Sequence, residues 1–482
     1  MSQAAFGAGR HAVIATPRPL ADDVRARRLA LAARDMGYRV TLVWARDGGG
    51  EVEPGELAGV TTIGLAVPYH LRARLRRRDQ RAAERRLWTF GLAYPTADAR
   101  RVAAAELAAR RMRLAGAPAA AGLRAAEAVH RARSVAYSAV ASAPGRRLAR
   151  RRARRGWRVE LAEVADLDAV FTAQLVELRP DLLQVEGVSL LGAGVWAKRR
   201  LAADGRAVSL VYDALEYVSG APRQDALKAK AYAAMERELI GEADAVVTAS
   251  QALADRLGAD FSLSAKPVAV LDSPPRGAAA ATDRGLRAEL GLGPDVPLAV
   301  HSDAGLRDGG FEPLLGALLA LPEVHLAVVK APGAADYRLR QLSQRAWALS
   351  VDDRVHVVEP VAPERMTSFL ADATFGLHVL GAGSEDDAMA LPRGLFDQLW
   401  AGLPMAVAAG GAKAELVEKA GIGATFDPAE AESVAAAASA VMADRDAHRA
   451  AAARPGLREG LAWERQASRL AELYRGLGPE AA

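Results

Sequence analysis

Residues 389–411, MALPRGLFDQLWAGLPMAVAAGG, constrain the fold of this 482-residue chain more than any other stretch. Pro392 suits the first turn of a helix, where a missing N–H costs nothing. The apolar residues that follow stand at helical spacing: Leu395, Phe396, Leu399 and Trp400. Gly402 and Pro404 are typical of a helix end, and residues 405–409 form a short apolar strand of the kind buried in a parallel sheet. The stretch therefore predicts a helix–turn–strand unit of an α/β fold, with a helix N-terminus suited to binding an anion.

The same alternation of strand and helix runs through most of the chain. Apolar runs of strand length occur at 11–16, 39–45, 60–67, 182–187, 207–212, 268–271, 297–302, 324–329, 354–358 and 375–380. Alternating strands and helices are typical of parallel sheets, and the length predicts more than one domain. We therefore expect one sheet to contain Val43, Val211 and Val247, and a second sheet to contain Val300, Val328, Val357 and Val407.

Residues 391–404 resemble the nucleotide-sugar segment of family 4 glycosyltransferases, which reads Leu-Pro-Asn-Lys-Leu-Phe-Glu-Tyr, a short spacer, and then Gly-Leu-Pro. The matching residues are Leu391, Pro392, Leu395, Phe396, Gly402, Leu403 and Pro404. Asp397 stands where the family has the acid that hydrogen-bonds the nucleotide ribose, and Gly394 stands where it usually has a phosphate-contacting Lys. For this segment alone, an αβ unit of any doubly wound protein is the alternative interpretation.

Two further stretches in the first half are similar to the same family. Asp23 and Arg25 open a predicted helix that resembles the start of the family's N-terminal domain, which implies a place on the acceptor side. A solvated arginine at a helix start is the alternative for Arg25. Asp213 and Glu216 match a family pattern that reads Asp-Ala-His-Glu, although Leu215 replaces its His. The resemblance implies that these two acids act in catalysis.

The second half carries a glycine-rich turn at 303–310, and such a turn before a helix can hold phosphate with its N–H groups. The resemblance places Asp303 and Gly309 where the family has Gly and Arg, so Arg307 is a candidate substitute. The implied nucleotide-sugar site comprises Arg307, Gly309, Gly310, Lys330, Arg393, Gly394, Leu395 and Asp397. Arg307 and Lys330 are also predicted to act in catalysis. The acid run at 385–387 is expected to face solvent, as most charge runs do.

The resemblance implies an α/β protein of the GT-B type, with two Rossmann-like domains facing across a cleft. The expected boundaries are 1–274 for the first domain, including a helical insertion at 70–158, then 283–462 for the nucleotide-sugar domain and 463–482 for a helix that crosses back. The implied reaction is a retaining sugar transfer from a nucleoside diphosphate sugar to a hydroxyl, in cell-envelope glycan or glycoconjugate synthesis, with no cofactor and no metal.

A second hypothesis is a catalytically degenerate relative that binds a ligand or a partner without transferring sugar. Its basis is the set of departures at Leu215, Gly309 and Gly394, where the family's His and cations are missing. Losing a group aimed at developing charge typically costs a few kcal/mol of transition-state stabilisation. A purely structural adaptor at a membrane surface is a third class of protein that the sequence allows.

Charge is strongly segregated along the chain. Residues 71–158 contain 24 Arg, no Lys and five acids, which gives +19, and because the whole chain carries +5 the remainder carries −14. Two arginine clusters, at 72–86 and 146–155, have Trp88 and Trp157 close by. Basic helices beside aromatic residues are typical of proteins that contact anionic membrane surfaces. A solvated helical insertion is the alternative, and nucleic acid is disfavoured because no binding motif accompanies the charge.

The apolar runs and the Cys content of the sequence predict the cellular compartment of the protein. The sequence has no run of eighteen apolar residues, no apolar core of signal-peptide length near residue 1, and no Cys. We therefore expect a cytoplasmic protein, with a peripheral position on the inner face of a membrane if the basic insertion binds lipid.

Overall fold

The computed structural model describes residues 6–47, 50, 52–87, 122–136, 156–221, 225–278, 284–302, 311–330, 336–379 and 383–477, and five positions between 100 and 107. The predicted arginine cluster at 146–155 and the glycine-rich turn at 303–310 lie outside these residues. The predicted site residues Arg307, Gly309 and Gly310 belong to that turn, so their roles stay predictions.

The first sheet has eight strands in the order β3-β4-β2-β1-β5-β6-β7-β8. Their bounds are β1 His11–Thr16, β2 Arg39–Asp47, β3 Glu53–Leu57, β4 Val60–Val67, β5 Leu182–Glu186, β6 Ser209–Ala214, β7 Ala245–Thr248 and β8 Val268–Ala269. All neighbours are parallel except β3 and β4, which form a hairpin across Ala58 and Gly59, both with positive φ. Strand β3 was not predicted because its Pro54, Gly55 and charged residues disfavour a strand.

Helices cover both faces of the first sheet, as its buried parallel strands require. The helices are α1 Val24–Asp35, α2 His70–Leu87, α3 Trp157–Glu160, α4 Ala162–Leu178, α5 Val188–Ala203, α6 Ala226–Leu239 and α7 Gln251–Asp260, with a 3-10 turn at Ile240–Glu242. Residues 122–136 are also helical.

The second sheet has six parallel strands in the order β11-β10-β9-β12-β13-β14. Their bounds are β9 Leu298–His301, β10 His325–Val329, β11 Val355–Val358, β12 Phe375–His378, β13 Met405–Ala408 and β14 Gly423–Phe426. The helices are α8 Leu286–Leu290, α9 Glu312–Ala320, α10 Asp336–Ala348, α11 Met366–Leu370, α12 Glu385–Met389, α13 Arg393–Trp400, α14 Gly411–Ala420, α15 Ala431–Ala443, α16 Arg445–Ala452 and α17 Pro455–Leu461, with 3-10 turns at Asp352–Arg354 and Pro363–Arg365.

The two sheets confirm the predicted architecture. Val43, Val211 and Val247 lie in the first sheet, and the other four valines lie in the second. The helix–turn–strand unit at 389–411 is α13 and β13, with Gly402 at φ 74° after the helix. Strand β14 was not predicted, because only Phe426 of its four residues is buried.

The last helix, α18 (Trp463–Gly476), packs on the first sheet although it follows the second one in the chain. Leu470 and Tyr474 are fully buried there, and the Tyr474 hydroxyl donates to Gln184 Oε1 at 2.5 Å. No helix within the described residues is long and apolar enough to cross a bilayer.

Candidate functional site

A buried ion pair lies at the carboxyl ends of the central strands of the first sheet, where α/β folds place their sites. Arg25, in α1, donates from Nε and Nη2 to the two carboxylate oxygens of Asp213 at 2.9 and 2.7 Å. Its Nη1 donates to Val270 O at 2.7 Å, and Gln184 Nε2 adds a third hydrogen bond to Asp213 at 3.3 Å. Asp213 has no exposed surface and Arg25 is only 4% exposed. A buried, fully paired carboxylate is suited to position other groups, and the catalytic role of Asp213 stays a prediction.

A second cluster of charges adjoins this pair at the end of β1. Asp23 caps α1 by accepting from Ala26 N at 3.0 Å and accepts the Thr16 hydroxyl at 2.5 Å. Burial raises the pKa of the Glu186 carboxyl well above its usual range, and the charge of Asp23 raises it further. Burial is the largest influence on the pKa of Asp23 and raises it, but the interactions with Glu186, Arg18, Thr16 and Ala26 N together lower that pKa overall. Burial therefore disfavours the charged form of Glu186, and the nearby guanidinium of Arg18 acts in the opposite direction on this pKa.

Arg18 is the part of this cluster that solvent reaches. Its Nη2 donates to Glu186 Oε1 at 3.0 Å, and 46% of its side chain is exposed, whereas Asp23 and Arg25 are buried. The acceptor-side roles predicted for Asp23 and Arg25 stay predictions, and both side chains are far less exposed than Arg18. Sequence analysis missed Arg18, although a cation two residues after a strand at a sheet's carboxyl edge was the available signal.

The loop after β6 belongs to the first half of the protein and contacts the second half. Glu216 is half-buried in this loop, and the next residue, Tyr217, donates its N–H to Asp386 Oδ1 of α12 at 2.7 Å. Arg256 contacts the Tyr217 hydroxyl at 2.8 Å and Glu385 Oε2 at 3.3 Å. The acid run was expected to face solvent, and this expectation is wrong for Asp386, which bridges the two halves, and for Asp387, which is 7% exposed.

Helix α13 carries the predicted ribose-binding acid. Asp397 is 4% exposed, and its Oδ2 lies 3.3 Å from Arg393 Nε. Arg393 also donates to Pro363 O at 2.9 Å, so its guanidinium is held by two groups of the protein. Gly394 and Leu395 are buried. Of these four predicted residues, the structure leaves Asp397 at the edge of a cavity.

That cavity lies between the two halves and has a volume of about 390 Å³. Its lining from the first half includes Val24, Arg27 and Arg28, and its lining from the second half includes Thr367 and Asp397. The remaining lining residues are Leu31, Leu57, Pro274, Pro275, Gly277, Ala278, Pro363 and Glu364. The volume exceeds the roughly 300 Å³ at the lower end of small-molecule sites.

Lys330 follows β10 at the carboxyl edge of the second sheet. Its Nζ lies 2.7 Å from Glu359 Oε1, and 21% of its side chain is exposed against 77% for Glu359. Since Glu359 is a solvated carboxylate, this ion pair by itself contributes little to stability.

Buried polar residues beneath this edge were not predicted. His301 and His378 end β9 and β12. Gln398 of α13 accepts from His378 Nε2 through its Oε1 at 2.9 Å and donates from its Nε2 to Ser302 Oγ, next to His301, at 2.9 Å. Burial first, then His301 and Lys413, lower the pKa of His378 to about 3, so this imidazole is neutral. Lys413 is 4% exposed and donates to Asp387 O at 3.1 Å. Histidines at the last position of two apolar strands were the signal in the sequence.

Among the described residues, no group of three His, Asp or Glu side chains is placed to hold a metal ion. Family models and curated proteins were compared with the chain, and neither gave a match.

Solved structures gave matches over nearly the whole chain. Sucrose-phosphate synthase from Thermosynechococcus elongatus matches with a TM-score of 0.65 and 15% identity, covering 97% of this chain and 99% of that one. An α,α-trehalose-phosphate synthase (UDP-forming) from Burkholderia vietnamiensis matches with a TM-score of 0.61 and 13% identity, covering 97% and 100%. Anabaena HepE, in complex with UDP and glucose, matches with a TM-score of 0.57 and 14% identity, covering 96% and 99%. With two parallel sheets and a cavity between them, the chain therefore has the GT-B fold of glycosyltransferases.

Proposed function

We propose that this protein is a glycosyltransferase that moves a sugar from a nucleoside diphosphate sugar to a hydroxyl acceptor, with retention of configuration at the anomeric carbon. The observation that carries the proposal is the position of Asp397, a buried acid on the edge of the interdomain cavity of a GT-B fold. A carboxylate there is suited to accept hydrogen bonds from the two ribose hydroxyls of a nucleotide. Charge-assisted bonds of this kind contribute roughly 1.5–3 kcal/mol.

The transfer needs positive charge where the diphosphate departs. The bond from the anomeric carbon to the diphosphate oxygen breaks, the acceptor oxygen bonds the same carbon, and the hydroxyl proton passes to the departing diphosphate. Preorganised cations and N–H groups facing the developing charge lower the barrier. Lys330 supplies such a cation at the rim, because its partner Glu359 is solvated, and Lys413 adds positive charge beneath α12.

The acceptor hydroxyl would lie across the cleft, over the carboxyl ends of β1 and β5. Arg18 is the exposed cation there, and the Asp23–Glu186 pair holds it in place. Glu216, half-buried in the loop after β6, is the acid of the first domain that we propose to face the reacting groups. Asp213 and Arg25 contribute by fixing α1 against β6.

One observation favours the second candidate function, a protein that binds nucleotide without transferring sugar. Arg393 stands beside Gly394, where a cation is expected, yet it is engaged by Asp397 and Pro363 O. The diphosphate would then have less compensating charge than a working transferase needs.

The proposed setting is the inner face of a membrane, where the acceptor would be a cell-envelope glycan or glycoconjugate. The support is the net charge of +19 on residues 71–158. A segment with this excess of positive charge is attracted to anionic lipid.

Calorimetric titration with nucleoside diphosphates tests the donor site. UDP comes first, because HepE was solved with UDP and glucose. Asp397→Ala should weaken the affinity about tenfold or more, since it removes both ribose contacts. Glu415→Gln, an exposed acid on α14, is the matched control and should leave the affinity unchanged.

Product analysis with a panel of donors separates the two candidate functions. Transfer by the wild type supports the transferase, and Gly394→Lys should then change turnover little. Binding without product, tightened by Gly394→Lys, supports the degenerate protein. If neither the wild type nor Gly394→Lys binds any nucleotide, both candidate functions are wrong.

A further inference from the structure

A basic groove runs between α2 and the start of α4, outside the interdomain cavity. It has a volume of about 860 Å³. Residues of α2 form one wall, including Leu71, Arg74, Arg77 and Arg78, and residues 158–165 form the other, including Arg158 and Val159. Asp166 fixes the first wall, because its two oxygens accept from Leu71 N and Arg72 N at 3.0 Å each. The groove is therefore formed by packed helices.

The arginines of the two walls differ in their pairing. Arg158 is neutralised by Glu238 at 2.7 Å, and nearby Arg199 is neutralised by Glu242 at 2.8 Å. Arg74, Arg77 and Arg78 are exposed and have no hydrogen bond or ion pair within the described part of the chain. They stand at spacings of three and four residues, so they share one helix face. This wall thus offers three uncompensated positive charges to a ligand.

The groove is also unusually apolar for such a basic surface. Leu71 is 44% exposed and Val159 is 51% exposed. Eight large apolar residues are exposed in the described chain, and four of them lie between residues 70 and 160: Leu71, Val129, Val135 and Val159. A surface for nucleic acid would need the charges but not these side chains.

A second cavity of about 720 Å³ continues the groove, since both are lined by Arg158 and Ala165. Its floor is the small-residue face of α4, made by Ala165, Ala169 and Ala173, and Trp157 and Trp196 stand at its sides. Arg158 lies over both indole rings, at 4.3 and 5.6 Å from their centroids. The lining also includes Thr172, Arg200 and Asp168, whose Oδ2 accepts from Trp196 Nε1 at 3.1 Å. Cations next to a cavity lined by alanines and tryptophans match the two ends of an amphiphile.

We propose that this groove binds an anionic phospholipid, with the headgroup phosphate on Arg74, Arg77 and Arg78 and the first acyl carbons along Val159 and the tryptophan-lined cavity. The inference rests on the membrane-surface location proposed above and names the side chains that would create it. Strand β4 ends at Val67 and α2 begins at His70, so the groove opens at the same edge of the sheet as Arg18. Lipid bound there holds the acceptor side of the cleft against the bilayer.

Co-sedimentation with vesicles tests the groove, using phosphatidylglycerol in phosphatidylcholine against phosphatidylcholine alone. Arg74→Ala and Arg77→Ala should each weaken binding to the anionic vesicles about fivefold. Arg76→Ala is the matched control, because Arg76 is exposed on the same helix but does not line the groove. Val159→Ser should also weaken binding, whereas Val52→Ser should not, although Val52 is equally exposed at 51%.

The outcomes separate the groove from a diffuse basic surface. If Arg76→Ala weakens binding to anionic vesicles as much as Arg74→Ala does, or Val52→Ser as much as Val159→Ser, the groove is not the lipid site. The proposed location at a membrane surface would then be unaffected. No binding to anionic vesicles would overturn both. Tight binding of a single-stranded oligonucleotide that depends on Arg74 but not on Val159 would assign the groove to nucleic acid. Titration of the same variants with UDP reports the donor site separately, and it should be unchanged.

Discussion

The Arg25–Asp213 pair allows a direct test of whether Asp213 acts on the substrate or positions the site. Asp213→Asn keeps the shape of the side chain but leaves the Arg25 guanidinium buried without a counter-charge. Removing one partner of a buried ion pair typically costs about 3–5 kcal/mol. We expect the free energy of unfolding of the first domain to fall by that amount, because Asp213 loses both charge-assisted bonds from Arg25.

A double-mutant cycle isolates the interaction. Arg25→Met alone should cost a similar amount, and the double variant should be about as stable as either single variant, since the second change removes a charge that is already unpaired. Urea unfolding followed by circular dichroism measures each value. Glu242→Gln is the control, because it breaks an exposed pair in the same domain and should cost about 1 kcal/mol or less.

UDP affinity measured on the folded variants completes the test, and it should change little because Asp397 is in the other domain. The reasoning fails if Asp213→Asn leaves the unfolding free energy within about 0.5 kcal/mol of the wild type while abolishing sugar transfer. That result would return Asp213 to direct catalysis. Additive losses in the cycle would equally contradict a coupled, buried pair.

Three other perturbations have expected outcomes. The pKa of His378 is about 3 in the folded protein against an ordinary 6.5, so below pH 6.5 the unfolded chain binds a proton more readily than the folded one. The contribution of this group to the free energy of unfolding is therefore fully present above pH 6.5 and falls toward pH 3 by up to about 1.4 kcal/mol per pH unit. His378→Gln should flatten that slope in urea titrations. Gly376→Ala should lower the melting temperature, because a Cβ there overlaps Gln398 Oε1, whereas Gly293→Ala, in open space, should not. Asp386→Ala removes a hydrogen bond between the domains, and small-angle scattering should show a larger radius of gyration.

Local patterns in the sequence were enough to predict most of the sheets. Apolar residues dominate each central strand, because a parallel strand is buried on both faces. Helix α13 was equally clear, since its apolar residues, Pro392 and Gly402 all agree. The two strands that were not predicted, β3 and β14, carry polar residues or glycine and lie at sheet edges, where burial no longer dictates the residue type.

The site was harder to predict because its contacts join distant parts of the chain. Arg25 and Asp213 are 188 residues apart, and Tyr217 and Asp386 are 169 residues apart. Each of these residues is polar and adjoins a turn, so its sequence context is that of a solvated residue. Only the tertiary fold shows which of them pair, and this is why the acid run was assigned to solvent. Asp397 could be predicted as a candidate from the sequence because its neighbours along the chain, and not its partners in space, carry the resemblance.

The docking of α18 on the first sheet has a consequence for synthesis on the ribosome. Leu470 and Tyr474 fill the interior beside β1 and β2, and Tyr474 bonds Gln184, which in turn bonds Asp213. The first sheet is translated by Ala269, but its last core residues follow roughly 200 residues later, about 10–40 s at ordinary elongation rates. During that interval the nascent chain exposes an unfinished apolar face. Its need for a chaperone should therefore end when the C-terminus leaves the exit tunnel, and not when the first domain does.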